Sequence, residues 1–484
     1  MQHDSVPSLS KSAFLLLPIM ALAFYIAFIP HQSYSYPLHI DEWVHLARTE
    51  AMLKASDLTY TEPFLGGTTE SIGSNMEVGF QLLWGVFQRI SGLSWMTIFR
   101  YFPGIILMFT AFSGFILARR LGFGWEAAFF TCLLPTTIGI LGPAFMVPIA
   151  LALPFTLLSL YIAFYFRSFW SYIVLFIFTC FIVSLHPPSA VCLVIILFPY
   201  LLLNLKGNFK HSMGIALAVF IPFLAPFPWI LSLLLPTAKS LLIEQFPSMF
   251  VDLPMVIKTY GNLPVALCLL GCFVLAIRRG RENYGLALGL LAVLLMLMVF
   301  FTFHYGLSIM YERGLMFMML MLGIVAGAGL AWVKNIGFNE WLIARVSIPS
   351  FLRYSGWLFC LVLVGITLFI SIPDHQQTQY YYMIDDEDYQ AFVWIKENVS
   401  EAYDKAALDP WKATAFTAIT GKHIYTRIHE APKPSDDEVE KFLEDGCTDT
   451  AFLQKTGVSI VYTHEPCQNP DLVPVRQWVY LLKK

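Results

Sequence analysis

The chain has 484 residues, of which 57% are hydrophobic and only 13% charged, with a net charge of -3 and a mean hydropathy of +0.65. A soluble globular protein is about 45–50% apolar and about 25% charged, so a surface this apolar needs a membrane as its solvent. The small net charge, with no basic run, argues against a nucleic-acid partner.

A spanning helix needs roughly 20 mainly apolar residues. About eleven spans of that kind are expected, near 12–30, 96–118, 124–141, 147–166, 170–185, 189–205, 212–235, 263–277, 284–303, 314–333 and 355–372. The expected fold class is therefore mainly α: a polytopic transmembrane bundle over residues 1–372, followed by a small α/β domain over 373–484. The first span reads as an anchor, since no small-residue cleavage site follows it. Lys and Arg sort by side of the membrane. With the N-terminus cytoplasmic, the inner loops hold Arg119, Arg120, Arg167, Lys206, Lys210, Arg278, Arg279, Arg281, Lys334, Arg345 and Arg353, and the short outer loops hold Lys239, Lys258 and Arg313. That orientation places the C-terminal domain outside the cytoplasm.

The first outer loop, residues 31–95, carries the most information. It opens His39-Ile40-Asp41-Glu42-Trp43-Val44-His45. Trp43, Leu46, Ala47, Met52 and Leu53 recur at helical spacing, which puts Asp41 and Glu42 at a helix N-terminus, where the dipole favours anions. The two acids can simply cap that helix. Their position just beyond the first span favours a functional reading, because carboxylates at a membrane boundary are costly to desolvate. Further along, Val78–Ile90 predicts an interfacial helix with Trp84 and Phe87 at headgroup depth.

An acidic pair directly after span one, a long outer loop with interfacial helices ending in Ser91-Gly92-Leu93-Ser94, and a multi-span body with an outer tail resemble the GT-C superfamily of membrane glycosyltransferases. Asp-Glu-x-x-His is more similar to the protein O-mannosyltransferases and aminoarabinose transferases than to the oligosaccharyltransferase subunits. The tail has no Trp-Trp-Asp-Tyr-Gly acceptor motif, and Asp409-Pro410-Trp411 is no substitute. The resemblance implies a polyprenyl- or dolichyl-phosphate sugar donor and a glycan, lipid or protein acceptor, in contact with membrane lipids. It implies a carboxylate base for the acceptor hydroxyl. Asp41 is the first choice for that base. Glu42 is the second, or an orienting partner, or a ligand to a divalent metal, which some members of the superfamily use. No other cofactor is implied.

The donor phosphate needs cationic or hydrogen-bonding groups at the same depth. Arg313 can grip a phosphate bidentately, or pair with neighbouring Glu312, or snorkel. His304 lies nearby, and Tyr311 can support it. Lys258 is either a phosphate ligand or a solvated charge. His186, before Pro187-Pro188, closes a span on the same side; the prolines alone explain the break there. His45 sits one turn from Asp41 on the expected helix.

From residue 373 the chain turns acidic, with 19 Asp+Glu against 11 Lys+Arg. Helices are expected over Asp388–Val399, Lys412–Thr420 and Asp436–Glu444, and strands over Lys405–Leu408, His423–Tyr425, Val458–Thr463 and Trp478–Leu482. Alternating strands and helices predict a parallel or mixed sheet. A disulfide between Cys447 and Cys467 fits an oxidising compartment; two unpaired thiols are the alternative. A transporter or flippase of a lipid-linked substrate would need ionisable residues deep in the spans or two matching halves with broken helices, and neither is evident. A non-catalytic membrane scaffold would tolerate loss of Asp41 and Glu42.

Overall fold

The computed structural model describes residues 9–55, 59–72, 75–135, 142–224, 252–303, 308–336, 354–378, 380–428 and 433–483. Contacts divide the chain into a helical unit, Met1–Pro30 with Tyr101–Thr378, and a mixed unit, His31–Arg100 with Gln379–Lys484.

Seven helices among the described residues are long and apolar enough to cross a membrane. A helix pair, Leu253–Tyr260 and Asn262–Arg278, makes an eighth if its 100° bend is taken within one span. The bend falls at Gly261, whose φ of 97° favours a residue without a Cβ. The difference from about eleven spans has a local cause in three places. The helix Gly124–Cys132 ends after nine residues, and 136–141 lie outside the described residues. The helix Phe169–Leu185 has only 17 residues. The expected span 212–235 lies outside the described residues from 225 onward. The long apolar helices make this a multi-pass membrane protein.

The numbering used below follows chain order: α1 (Leu9–Phe28), α2 (Ile40–Lys54), α3 (Val78–Ser91), α4 (Trp95–Arg119), α5 (Gly124–Cys132), α6 (Pro148–Tyr165), α7 (Phe169–Leu185), α8 (Pro187–Leu205), α9 (Phe209–Phe220), α10 (Leu253–Tyr260), α11 (Asn262–Arg278), α12 (Arg281–Phe303), α13 (Ser308–Lys334) and α14 (Ser355–Gln377). Helix α13 is the axis of the helical unit, with its apolar span fully buried by neighbouring helices. Lipid tails give helices no hydrophobic reason to associate, so close packing must do it. Small residues permit that closeness: a Cβ on Gly329 would lie 2.0 Å from the Leu267 carbonyl oxygen, and one on Gly271 2.0 Å from that of Val325. Between Arg313 and Lys334 the helix carries no ionisable residue. At 1.5 Å per residue that stretch is about 31 Å long, close to the hydrocarbon thickness of a bilayer. At its far end Lys334 pairs with buried Glu126 and lies 5.1 Å and 5.2 Å from the stacked rings of Trp125 and Trp357.

In the mixed unit the tail adds α15 (Asp386–Asn398), α16 (Ala413–Thr420), α17 (Pro434–Glu444) and α18 (Thr450–Thr456). A hairpin of β1 (Thr59–Thr61) and β2 (Thr69–Ser71) belongs to the loop. The tail's sheet has β3 (Lys405–Ala407), β4 (His423–Ile424), β5 (Ile460–Tyr462), β6 (Leu472–Arg476) and β7 (Val479–Leu482), in the order β4-β3-β5-β7-β6. The first three strands are parallel, and β7 runs antiparallel to both β5 and β6, so the sheet is mixed. Cys447 and Cys467 form a disulfide beside the core of Val439, Phe442, Leu453 and Val461. The loop and the tail share one core: buried Trp43, Leu46 and Ala47 of α2 belong to the helix that packs on α16. The edge of β4 is covered by main chain, with the Ile424 amide donating to the Phe64 carbonyl at 2.7 Å. An uncovered strand edge would invite pairing with another chain.

Candidate active site

Helix α2 begins at a fixed geometry because its first turn satisfies its own backbone. His39 is the N-cap, and its Nδ1 accepts from the Asp41 amide at 3.1 Å. Glu42 reaches back, and its Oε2 accepts from the Leu38 amide at 2.6 Å and the His39 amide at 3.2 Å. The exchange is a capping box. It helps explain how Glu42 is fully buried: its carboxylate holds two backbone N–H groups, and hydrogen bonds to a charged acceptor are strong.

Asp41 is placed differently. Its side chain is 35% exposed, with Oδ2 3.7 Å from His39 Nδ1. Because that nitrogen accepts from an amide, the proton of His39 is assigned to Nε2. Burial pushes the His39 pKa down, against a smaller upward pull from Asp41. The neutral ring stands edge-on to Tyr381 at 4.7 Å.

Two tyrosines tie this turn to the tail. Tyr34 Oη donates to the Ile384 carbonyl at 2.8 Å, and Tyr36 Oη donates to Asp386 Oδ1 at 2.7 Å. Burial first, and the bond to Asp386 second, raise the Tyr36 phenol. Nearby Asp388 is buried and accepts from Lys412 at 2.9 Å and Tyr462 at 2.7 Å. Burial works against its charge, but these bonds outweigh it and hold the carboxyl below its ordinary range. Tyr34, Tyr36 and Tyr381 went unremarked in the sequence, and His39 was named there only as the start of the motif. The only signal was the crowding of aromatic residues around His39 and in Tyr380-Tyr381-Tyr382.

His45, one turn along α2, is buried, with its ring 5.0 Å from Phe80 and Nδ1 3.8 Å from Glu77 Oε2. Among the described residues no group of three or more His, Cys, Asp or Glu is placed to hold a metal ion. Glu42 Oε2 is already committed to two amides.

The helical unit brings two of the expected phosphate ligands together. Arg313 Nε donates to His186 Nε2 at 3.3 Å, and Arg313 Nη1 pairs with Glu312 at 3.0 Å. His186 caps the junction of α7 and α8, where Pro187 occupies the first helical position. Since its Nε2 accepts, its Nδ1 donates to Ser189 Oγ at 2.7 Å. Arg313 Nη2 keeps its donors without a partner among the described residues. Tyr311 is buried against Phe300 and Phe301. Lys258 is exposed on the short helix α10. His304 lies outside the described residues.

No family model matches the sequence, and no curated protein matches it. Solved structures do. The Archaeoglobus fulgidus oligosaccharyltransferase in its apo form is 11% identical, with a TM-score of 0.68 over 94% of this chain and 70% of that one. The same organism's AglB, in complex with an inhibitory peptide and a dolichol-phosphate, gives a TM-score of 0.65 at 11% identity over 94% and 70%. ArnT from Cupriavidus metallidurans bound to undecaprenyl phosphate gives 0.59 at 14% identity, over 98% of both chains. At this identity the likeness is one of fold, and the chain has the GT-C-like membrane fold that these proteins share.

Proposed function

We propose that the protein is a glycosyltransferase that takes a sugar from a polyprenyl- or dolichyl-phosphate donor at the outer membrane face. The observation that carries this reading is the start of α2, where a capping box fixes a half-exposed carboxylate, Asp41. It is supported by a fold shared with proteins solved with dolichol-phosphate and undecaprenyl phosphate. The N-terminus is cytoplasmic in this reading and the mixed unit outside, which suits the Cys447–Cys467 disulfide.

The acceptor, a glycan, lipid or protein hydroxyl, donates its proton to Asp41 as its oxygen attacks C1 of the sugar. The bond from C1 to the phosphate oxygen breaks with its electron pair, the polyprenyl phosphate leaves, and the anomeric centre inverts. Arg313 offers its open Nη2 donors to that phosphate, and His186 with Ser189 holds the guanidinium in place. Glu42 is a positioning residue: it locks the turn that presents Asp41 and does not itself take the proton.

The test supplies purified protein with a panel of radiolabelled polyprenyl-phosphate sugars and a membrane extract as acceptor, beside the Asp41→Asn variant. Label transferred by the wild type and not by the variant supports the assignment. Equal transfer by both removes Asp41 from the mechanism.

A further inference from the structure

Away from Asp41, the mixed unit contains a polar cleft of about 880 Å³. It lies between the C-terminal half of α2, the β1 region of the loop, and α16 with the turn that follows it. Glu50, Lys54, Trp95, Lys396, Thr417 and His423 are among its walls. The volume is that of a small-molecule site, but such sites are mostly apolar, and this one is not.

Its charges offset one another. Glu50 and Glu62 line the same cleft as Lys54 and Lys396, so its formal charges balance. Such walls suit a neutral ligand rich in hydroxyls, each of which can donate to a carboxylate and accept from an ammonium. Glu50 is set for this. Trp95 Nε1 donates to its Oε1 at 2.6 Å, which fixes the carboxylate while Oε2 has no partner among the described residues. A polar group whose orientation is locked by a second one binds at lower entropic cost. The Thr417 side chain is buried at the wall, its hydroxyl likewise unpartnered among the described residues. Trp95 and Tyr60 add ring surface for the C–H faces of a sugar. Gly421, with φ of 73°, ends α16 at the wall and carries no side chain.

We propose that this cleft binds a neutral oligosaccharide. Glu50 lies nine residues beyond Asp41 on α2, about 13 Å along the axis at 1.5 Å per residue. On the glycosyl-transfer reading the bound glycan belongs to the acceptor; the binding itself does not rest on that reading.

The experiment is saturation-transfer NMR on the full chain in nanodiscs. The probes are trisaccharides of glucose, mannose, galactose and N-acetylglucosamine, with a set of tripeptides alongside. The expected result is transfer to at least one trisaccharide, weakened at least tenfold in Glu50→Gln and in Trp95→Phe and unchanged in Asp41→Asn. Thermal unfolding of each variant separates lost binding from lost fold, and Lys396→Met, at an exposed position, serves if either substitution unfolds the unit. Binding to no trisaccharide, binding to tripeptides alone, or wild-type affinity in the folded cleft variants overturns the proposal. Intact trisaccharide binding in an Asp41→Asn protein that still transfers label would strike down the transfer mechanism and leave the cleft standing.

Discussion

Helix α2 starts with Asp41 and Glu42, while α13 carries Glu312 and Arg313 in its first turns, and the two helix starts satisfy their charges by different means. In α2 main-chain amides do the holding: Glu42 accepts from those of Leu38 and His39. In α13 the partners are side chains: Arg313 leans on His186 and Glu312. The first arrangement commits Oε2 of one acid and leaves its neighbour 35% exposed. The second leaves part of one cation open. A backbone cap is short, so it fixes position closely. A side-chain clamp is longer and can yield when a competing anion arrives. A base that must meet a proton within hydrogen-bond reach belongs on the first kind of support, and a phosphate grip on the second.

The comparison breaks most visibly at Asp41. Asp41→Asn keeps the shape and removes the proton acceptor, so sugar transfer should fall by about 10²–10⁴, the usual worth of a positioned general base. The thermal midpoint should stay near the wild type, because the bond from the Asp41 amide to His39 uses no carboxylate atom. Wild-type turnover in this variant would leave α2 with a cap and nothing more. Arg313→Ala comes next. Losing hydrogen bonds to a charged group costs about 1.5–3 kcal/mol, which is roughly a ten- to hundredfold loss in kcat/KM for a phosphate-linked donor. Arg313→Lys should recover only part of it, since an ammonium cannot match a guanidinium fork. Full recovery by lysine would mean that charge alone is used there.

Much of this was legible in the sequence, for reasons that differ by region. Lipid tolerates only helices with their backbones satisfied internally, so the spans announce themselves as apolar runs. The tail's elements were legible where a cap coincided with periodicity: α16 stops at Gly421, whereas α15, expected from Asp388, starts at Asp386 after a capping box of Asp385 and Asp388. Helix α18 and strand β6 were not foreseen. The first has only seven residues, and the second contains Pro474 and buries only its first residue. Arg313 and His186 were both singled out, but a contact between residues 127 apart leaves no periodic mark. The tyrosine ties from Tyr34 and Tyr36 span 350 residues. For the same reason the sharing of one core by the loop and the tail was hidden. Glu42 read as the second choice for the base, or as an orienting partner or metal ligand. Only the positions of the Leu38 and His39 amides show that Glu42 is the acid that caps the helix.

Glu42 sharpens the comparison at smaller magnitude. Glu42→Ala orphans two backbone donors and should cost about 0.5–2 kcal/mol, the range of a lost helix cap. Glu42→Gln keeps an acceptor oxygen in place and should cost less. If Glu42 acts only by position, transfer should follow stability across this pair, with Gln above Ala. Transfer abolished in a well-folded Gln variant would give Glu42 a direct part in the chemistry.

The smallest expected effect concerns His39, and its sign follows from the cap. The neutral ring accepts from the Asp41 amide through Nδ1, and protonating that nitrogen would destroy the acceptor. Burial holds the folded pKa below the ordinary value of 6.5. The unfolded chain therefore takes up a proton first as the pH falls. The stability that His39 contributes is fully present above 6.5 and is lost as the pH drops through the lower folded value. His39→Asn replaces the ring with a good N-cap that does not titrate. Thermal unfolding of the mixed unit measured between pH 7.5 and 5 should then decline less steeply in the variant than in the wild type. Equal slopes would show that other groups carry the acid sensitivity, and that α2 is held by Glu42 alone.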